Sequence, residues 1–162
     1  MNDERTIKLD RLRYTKNTAS SRLAILAILF DVFFFVSIYK SDVGSYYYNI
    51  QIGASILYNL IFMLAAFLAS EGVKNYKVGY SVLLFILGAV QAARIFILPM
   101  QAHAATLKIK GVATVVMGDG QFIRVVIYLA LSAACCFASA FINLQKSRML
   151  AAHIASLEGQ KA

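Results

Sequence analysis

Four long apolar runs, at residues 23–39, 50–70, 78–98 and 125–144, constrain this chain more than any other feature. An α-helix rises about 1.5 Å per residue, so a run of about 20 residues crosses the roughly 30 Å hydrocarbon core of a bilayer. Lipid offers backbone groups no hydrogen-bond partners, so such segments must be helical. Hydrophobic residues make up 60% of the 162 residues, which exceeds the apolar content of about 45–50% that is typical of a soluble domain. The sequence predicts an all-α membrane protein built as a four-helix transmembrane bundle.

The first run is also compatible with a secretory signal sequence, because a basic segment precedes it. Three features favour a retained helix instead. The preceding segment is 22 residues long, the run contains Asp31, and residues 41–49 offer no small-x-small cleavage site. We therefore predict that this run remains in the protein as the first transmembrane helix.

The polar remainder of the chain is too short for a second domain with its own core. The sequence divides into a basic N-terminal segment at 1–22, a transmembrane domain at 23–144 and an amphipathic tail at 145–162. Apolar side chains recur at helical spacing in the tail, which predicts that the fourth helix continues beyond the membrane. These side chains are Leu150, Ile154 and Leu157. Contact with the membrane surface and contact with a partner are both compatible with so short a stripe.

Lysine and arginine are distributed unequally between the two ends of the predicted spans. One side carries eleven of them, namely Arg5, Lys8, Arg11, Arg13, Lys16, Arg22, Lys74, Lys77, Lys146, Arg148 and Lys161, and the other side carries four, namely Lys40, Lys108, Lys110 and Arg124. Short cytoplasmic segments are enriched in positive charge, so this asymmetry predicts that both termini are cytoplasmic. The tail is then a cytoplasmic extension, and the loop between the third and fourth spans is extracellular.

The formal net charge of +8 arises mainly from these basic residues at the span ends. Such a distribution reflects membrane topology, so we predict contact with the lipid bilayer and no binding of nucleic acid. Short loops, and the lack of N-glycosylation motifs in the outward loops, favour a bacterial plasma (cell) membrane.

The loop between the third and fourth runs has a strand-like pattern. Pro99 is predicted to end the third helix, because proline removes a backbone donor. Residues 107–109 then alternate apolar and polar side chains, a turn follows at 110–111, and β-branched residues are frequent in 112–116. This pattern predicts a small extracellular β-hairpin.

Four polar side chains lie inside the apolar runs. Asp31 lies eight residues beyond the start of its run, about 12 Å into the membrane. Asn59 and Gln91 fall near the midplane by the same reckoning, and Arg94 lies one turn beyond Gln91 on the same helix face. The depths of Asp31 and Arg94 then differ by about 10 Å, so we expect Asn59 or Gln91 to bridge them rather than a tight ion pair.

A charge near the centre of a membrane helix costs roughly 2.5–3.5 kcal/mol on insertion scales, so such groups face the bundle interior or a wet cavity. Two interpretations follow. In the first, the four polar residues hydrogen-bond across helices and fix which helix faces meet. In the second, Asp31 relays protons or cations in a small transporter or channel. The first is favoured, because the spans show no second titratable group suited to a relay.

Small residues recur at a spacing of four on the third and fourth runs, a pattern that lets helix backbones approach closely. They are Gly88, Ala92, Ala130, Ala134 and Ala138. Such faces pair within one chain or between chains, and the sequence leaves both open.

Catalytic chemistry has little support in this sequence. No nucleophile lies beside a base, and there is no acidic pair, metal-ligand cluster or phosphate-binding glycine loop. The adjacent Cys135 and Cys136 have neither CxxC nor metal-ligand spacing. We predict no metal, no cofactor, and a protein that acts without catalysis through association, as an accessory subunit or a homo-oligomer. The alternative is a small proton- or cation-coupled transporter or channel that uses Asp31.

Overall fold

A computed structural model of the protein describes residues 7, 11–39, 49–109 and 112–159. Four helices make up most of this part: α1 (Thr18–Ile38), α2 (Asn49–Lys74), α3 (Val78–Ala104) and α4 (Asp119–Gly159). Each is long and apolar enough to cross a membrane, which confirms the four predicted membrane-spanning helices. Five basic residues of the orientation argument lie outside the described residues: Arg5, Lys8, Lys40, Lys110 and Lys161.

Helices that follow one another in the chain are also neighbours in the bundle. α4 packs most extensively against α3 and α1, α1 also packs against α2, and α2 packs against α3. α2 and α4 touch only slightly, because they lie across one diagonal of the bundle. At one end of the bundle, the backbone N–H of Asn17 donates to the carbonyl of Lys74 at 2.9 Å, which ties the start of α1 to the end of α2.

The helices extend beyond the apolar runs that predict them. α1 begins at Thr18, five residues before the first run, and α3 continues past the buried Pro99 to Ala104. The prediction that Pro99 ends the third helix is therefore wrong. Membrane helices tolerate proline, since neighbouring helices and local adjustments satisfy the backbone groups that proline leaves free.

α4 is one continuous helix of 41 residues, about 60 Å long and twice the thickness of the hydrocarbon core. The predicted continuation of the fourth helix into the tail is thus confirmed. Leu150 and Leu157 are half-buried, and Ile154 is partly exposed. Arg13 of the N-terminal segment lies beside Ile154 and Leu157, so this segment covers part of the tail.

Two four-residue strands lie between α3 and α4. β1 (Thr106–Ile109) pairs antiparallel with β2 (Val112–Val115), with Thr106 opposite Val115 and Ile109 opposite Val112. Two contacts join the nearby helix ends. The His103 ring stacks on Phe122 with centroids 4.4 Å apart, and Gln121 Nε2 donates to the carbonyl of Ser37 at 2.9 Å. The ends of α1 and α3 therefore meet the start of α4 at this end of the bundle.

The outer faces of the helices carry large apolar side chains that no described part of the chain covers. Leu64, Phe96 and Phe141 are 62%, 63% and 63% exposed. A continuous apolar surface of this kind is a liability in water and is the expected surface in lipid. Because no hydrophobic force drives the helices together in lipid, the bundle must be specified by its interior contacts.

We predict that Gly72→Ala destabilises the bundle by about 1–3 kcal/mol, because an added Cβ would lie 2.1 Å from Cδ2 of Tyr80. The measurement is thermal unfolding followed by a thiol-reactive fluorescent dye, since both cysteines are buried until the bundle opens. Gly53→Ala is the matched control on the same helix. It meets no atom within 4 Å and should leave stability unchanged or raise it by about 0.5–1 kcal/mol. Equal effects of the two substitutions would contradict the close α2–α3 contact.

Candidate functional site

A polar cluster in the middle of the bundle contains Asp31, Asn59, Gln91, Arg94 and Ser132. Asp31 Oδ1 accepts two hydrogen bonds, from Gln91 Nε2 at 2.8 Å and from Arg94 Nη1 at 2.9 Å. Arg94 Nη1 also donates to Gln91 Oε1 at 2.8 Å, and Arg94 Nη2 donates to Asn59 Oδ1 at 2.8 Å. These bonds join α1, α2 and α3 at one level.

Ser132 adds α4 to the polar cluster. Gln91 Nε2 donates to Ser132 Oγ at 3.1 Å, and Ser132 Oγ donates to the backbone carbonyl of Ala27 at 2.9 Å. The structure thus brings together all four polar residues predicted from the spans, and one hydrogen-bond network reaches all four helices. Hydrogen bonds between membrane helices contribute about 0.6–2 kcal/mol each.

Aromatic rings enclose the guanidinium of Arg94. Its central carbon lies 4.3 Å from the centroid of the Tyr58 ring and 4.6 Å from that of Phe34. Phe34 and Asp31 have no exposed surface, and Arg94 is 5% exposed. A cation held against aromatic faces without water gains about 2 kcal/mol from each well-placed ring. The charge of Arg94 is therefore held by one carboxylate, two amide oxygens and two rings.

The expectation that Asp31 and Arg94 form no tight ion pair is wrong, because they are in direct contact. The error lies in the depth assigned to Asp31. Asn17 and the carbonyl of Lys77 lie at one level, because Asn143 bonds to both. Asp31 lies 14 residues beyond Asn17 and Arg94 lies 17 residues beyond Lys77. The difference of three residues corresponds to about 4.5 Å, which an arginine side chain spans. The amide bridge predicted for Gln91 is also present, beside the direct pair.

A second polar layer closes the end of the bundle where α1 begins, and we call it the end layer. Asn143 Nδ2 donates to Ser81 Oγ at 2.8 Å and to the carbonyl of Lys77 at 3.2 Å. Asn17 Nδ2 donates to Asn143 Oδ1 at 3.1 Å, and Lys146 Nζ donates to Asn17 Oδ1 at 3.2 Å. The end layer therefore aligns the N-terminal segment, the start of α3 and the middle of α4 at one depth.

Small residues bring α1 and α4 into close contact between the two polar layers. Ser20 Oγ donates to the carbonyl of Ser139, and Ser139 Oγ donates to the carbonyl of Ser20 at 2.7 Å. Ala24 and Ala27 are fully buried beside this contact. Hydroxyl-to-carbonyl bonds between helices require the two backbones to lie close together, which only small side chains allow.

The residues predicted for helix packing divide into an inward and an outward group. Gly88 is buried, and a Cβ added there would lie 3.0 Å from the Phe137 ring. Ala92 is half-buried on the same helix. Ala130, Ala134 and Ala138 are exposed on the outer face of α4. We call these three exposed alanines the alanine stripe.

One face of α4 carries serine and asparagine, and the small-residue pattern did not predict its role. Ser132, Ser139 and Asn143 follow one another at spacings of seven and four residues, which places them on one helical face. All three are fully buried and form bonds to other helices. The hydroxyl and amide groups on this face are the sequence feature that could have indicated which side of α4 points inward.

Four buried polar atoms have no hydrogen-bond partner within the described part of the chain: Asp31 Oδ2, Ser55 Oγ, Tyr58 Oη and Asn59 Nδ2. The last three residues lie on α2 at relative positions i, i+3 and i+4, so they share one face. Asp31 thus uses one carboxylate oxygen for the network and leaves the other free to accept a proton, a water or a cation.

Within the described ranges, no group of three or more His, Cys, Asp or Glu side chains could hold a metal ion. Comparisons with known proteins add no assignment, since no family model, curated protein or solved structure matches the chain.

We predict that Asp31→Leu and Arg94→Leu each destabilise the protein by about 3–5 kcal/mol, because each leaves the other charge buried without its partner. The double substitution should cost clearly less than the sum of the two single ones, since it removes both charges. Thermal unfolding in detergent or lipid measures all three. Ser55→Ala, which removes a buried hydroxyl with no partner, should leave stability nearly unchanged. Additive single effects would contradict the coupling.

Proposed function

We propose that the protein acts without catalysis through association in the membrane, as a homo-oligomer or as an accessory subunit of a membrane complex. The observation that carries this proposal is the exposed alanine stripe of Ala130, Ala134 and Ala138 on α4. In lipid, helices associate mainly by close packing, and a stripe of small residues is the surface that permits it. Bulky side chains such as Leu64 and Phe96 are exposed on the outer faces of α2 and α3, and Phe141 borders the stripe on α4.

The closed polar cluster supports the same proposal. Asp31 is neutralised by Arg94 and bonded to Gln91, and the rings of Phe34 and Tyr58 cover the cation. A cation bound at the remaining oxygen of Asp31 would place a second positive charge beside Arg94 in a low dielectric, unless the pair separated first and left two buried charges unpaired. A fixed pair instead gives a rigid bundle that presents a constant outer surface.

The proposal includes the orientation of the chain in a plasma membrane. The N-terminal segment and the tail lie at the same end of the bundle, joined by the bonds of Asn17 to Asn143 and Lys146. The excess of basic residues at this end favours the cytoplasmic side. The β1–β2 pair would then be extracellular, and the part of α4 beyond residue 144 would be a cytoplasmic helical extension.

We predict that Ala134→Leu weakens self-association at least tenfold, because a bulky side chain in the middle of the alanine stripe separates the helices. Single-molecule photobleaching of labelled protein in liposomes gives the oligomer distribution at low protein density. Ala54→Leu on α2 makes the same exchange at another exposed alanine and should leave the distribution unchanged. If wild type is monomeric, cross-linking from Ala134→Cys in cell membranes tests for a different partner, and capture of no protein there would contradict the proposal.

A second candidate function is a small proton- or cation-coupled transporter or channel. The specific observation in its favour is the set of unpartnered atoms near Asp31, namely its own Oδ2, Tyr58 Oη and Asn59 Nδ2. These atoms combine acceptors and donors inside the bilayer, where isolated polar groups are costly and commonly functional. Asp31 would be the residue that carries the charge.

A flux assay separates the two candidate functions. We expect wild-type protein in liposomes to pass protons, sodium and potassium no faster than empty liposomes, because Arg94 holds the carboxylate of Asp31. A pH-sensitive or cation-sensitive dye inside the liposomes provides the measurement. The transporter would be favoured by a flux that is present in wild type and absent in Asp31→Asn, provided that both proteins are folded. That result would contradict a purely associative function.

A further inference from the structure

A cavity of about 330 Å³ lies where the N-terminal segment meets the loop between α2 and α3. Arg13 and Lys16 line it from the N-terminal segment, and Lys74 lines it from the end of α2. Leu12 and Leu150 add apolar surface, the latter from the part of α4 beyond the end layer. This volume falls within the range of about 300–1,000 Å³ that is typical of small-molecule sites. We call it the basic cavity.

Of the described residues that line the basic cavity, three are cationic and none is acidic. Among the described residues, neither Arg13 nor Lys16 forms an ion pair. Lys74 is paired with Glu71 at 3.0 Å, but Glu71 is 54% exposed and lies outside the cavity lining. Within the described part of the chain, positive charge exceeds negative charge around the basic cavity, since Glu158 beside Arg13 and Glu71 beside Lys74 stand against three cations. An anion would balance the excess.

The position of the basic cavity fits the headgroup layer of a membrane. Lys16 lies two residues before α1 begins, and Lys74 is the last residue of α2. Lys16 thus lies about 10 Å before the first apolar run and Lys74 about 6 Å beyond the second, so both side chains are within reach of the headgroup layer that flanks the roughly 30 Å hydrocarbon core. The backbone bond from Asn17 to Lys74 holds the two walls of the cavity together at this level.

We propose that the basic cavity binds the phosphate of an anionic phospholipid headgroup. The planar guanidinium of Arg13 suits two phosphate oxygens at once, while Lys16 and Lys74 add point charges. Leu12 and Leu150 would contact the glycerol and the first carbons of the acyl chains. The site requires a phosphate on a headgroup that carries no positive charge. A phosphatidylglycerol headgroup meets this requirement and a phosphatidylcholine headgroup does not. The inference is independent of self-association through the alanine stripe.

The test uses the full-length protein in a zwitterionic detergent. Dihexanoyl-phosphatidylglycerol, dihexanoyl-phosphatidylcholine and inorganic phosphate are titrated separately, and the unfolding midpoint is read with a thiol-reactive dye through the buried Cys135 and Cys136. The phosphatidylglycerol should raise the midpoint at much lower concentration than either of the others. The variant Arg13→Gln/Lys16→Gln/Lys74→Gln should need at least tenfold more of this lipid for the same shift.

The matched control removes three charges from the same end of the bundle but outside the basic cavity. It carries Arg22→Gln, Lys77→Gln and Arg148→Gln, and its response should stay within twofold of wild type. Equal losses in both triple variants, or no shift in wild type, would overturn the site. An equal shift with inorganic phosphate would overturn the lipid as its source. If the cavity variant does not fold, Lys16→Gln alone provides the comparison, since this exposed side chain forms no bond to the described residues.

Discussion

The Asp31–Arg94 ion pair fixes the relative depth of the helices, and the rest of the bundle is arranged around it. Its partners lie on α1 and α3, which are not neighbours around the bundle, so the pair forms only when the helices between them are correctly placed. A slip of one helical turn would move the charges apart by about 5.4 Å and leave both in hydrocarbon. Buried pairs are a weak source of net stability, but an unpaired charge is costly, so the contact acts mainly by excluding other registers.

The end layer and the polar cluster together define two levels along the bundle axis. Asn143 fixes the first level and Ser132 the second, and both lie on α4. Between these levels, α1 and α4 touch through Ser20, Ser139 and fully buried alanines. Two fixed levels on one rigid helix set both the depth and the rotation of its neighbours. Polar layers of this kind can specify a fold in lipid, where apolar side chains gain nothing by leaving the lipid to contact one another.

The parts of this structure that the sequence predicts are those that lipid itself dictates. Helix number follows from run length, and Asp31, Asn59, Gln91 and Arg94 share a level because hydrocarbon tolerates polar groups only where they meet. The direct ion pair was missed because polar residues such as Ser20 and Ser21 hid the true start of α1. The outward orientation of the alanine stripe was not predicted, because periodicity identifies a helix face without telling whether that face points inward or outward. Ser132 and Asn143 on another face of α4 identify the inward side, because they bond to the other helices.

The unbroken course of α4 couples places that are far apart. No proline interrupts it, and its glycines lie only at the second and last positions, so nothing along its length provides a hinge. Ser132 and Leu150 are 18 residues apart on this single rod, about 27 Å along its axis. A rotation of α4 that breaks the hydrogen bond from Gln91 to Ser132 would also rotate Leu150, because the helix between them has no hinge. Leu150 beside the basic cavity and Ser132 in the polar cluster are therefore two positions on the same straight helix.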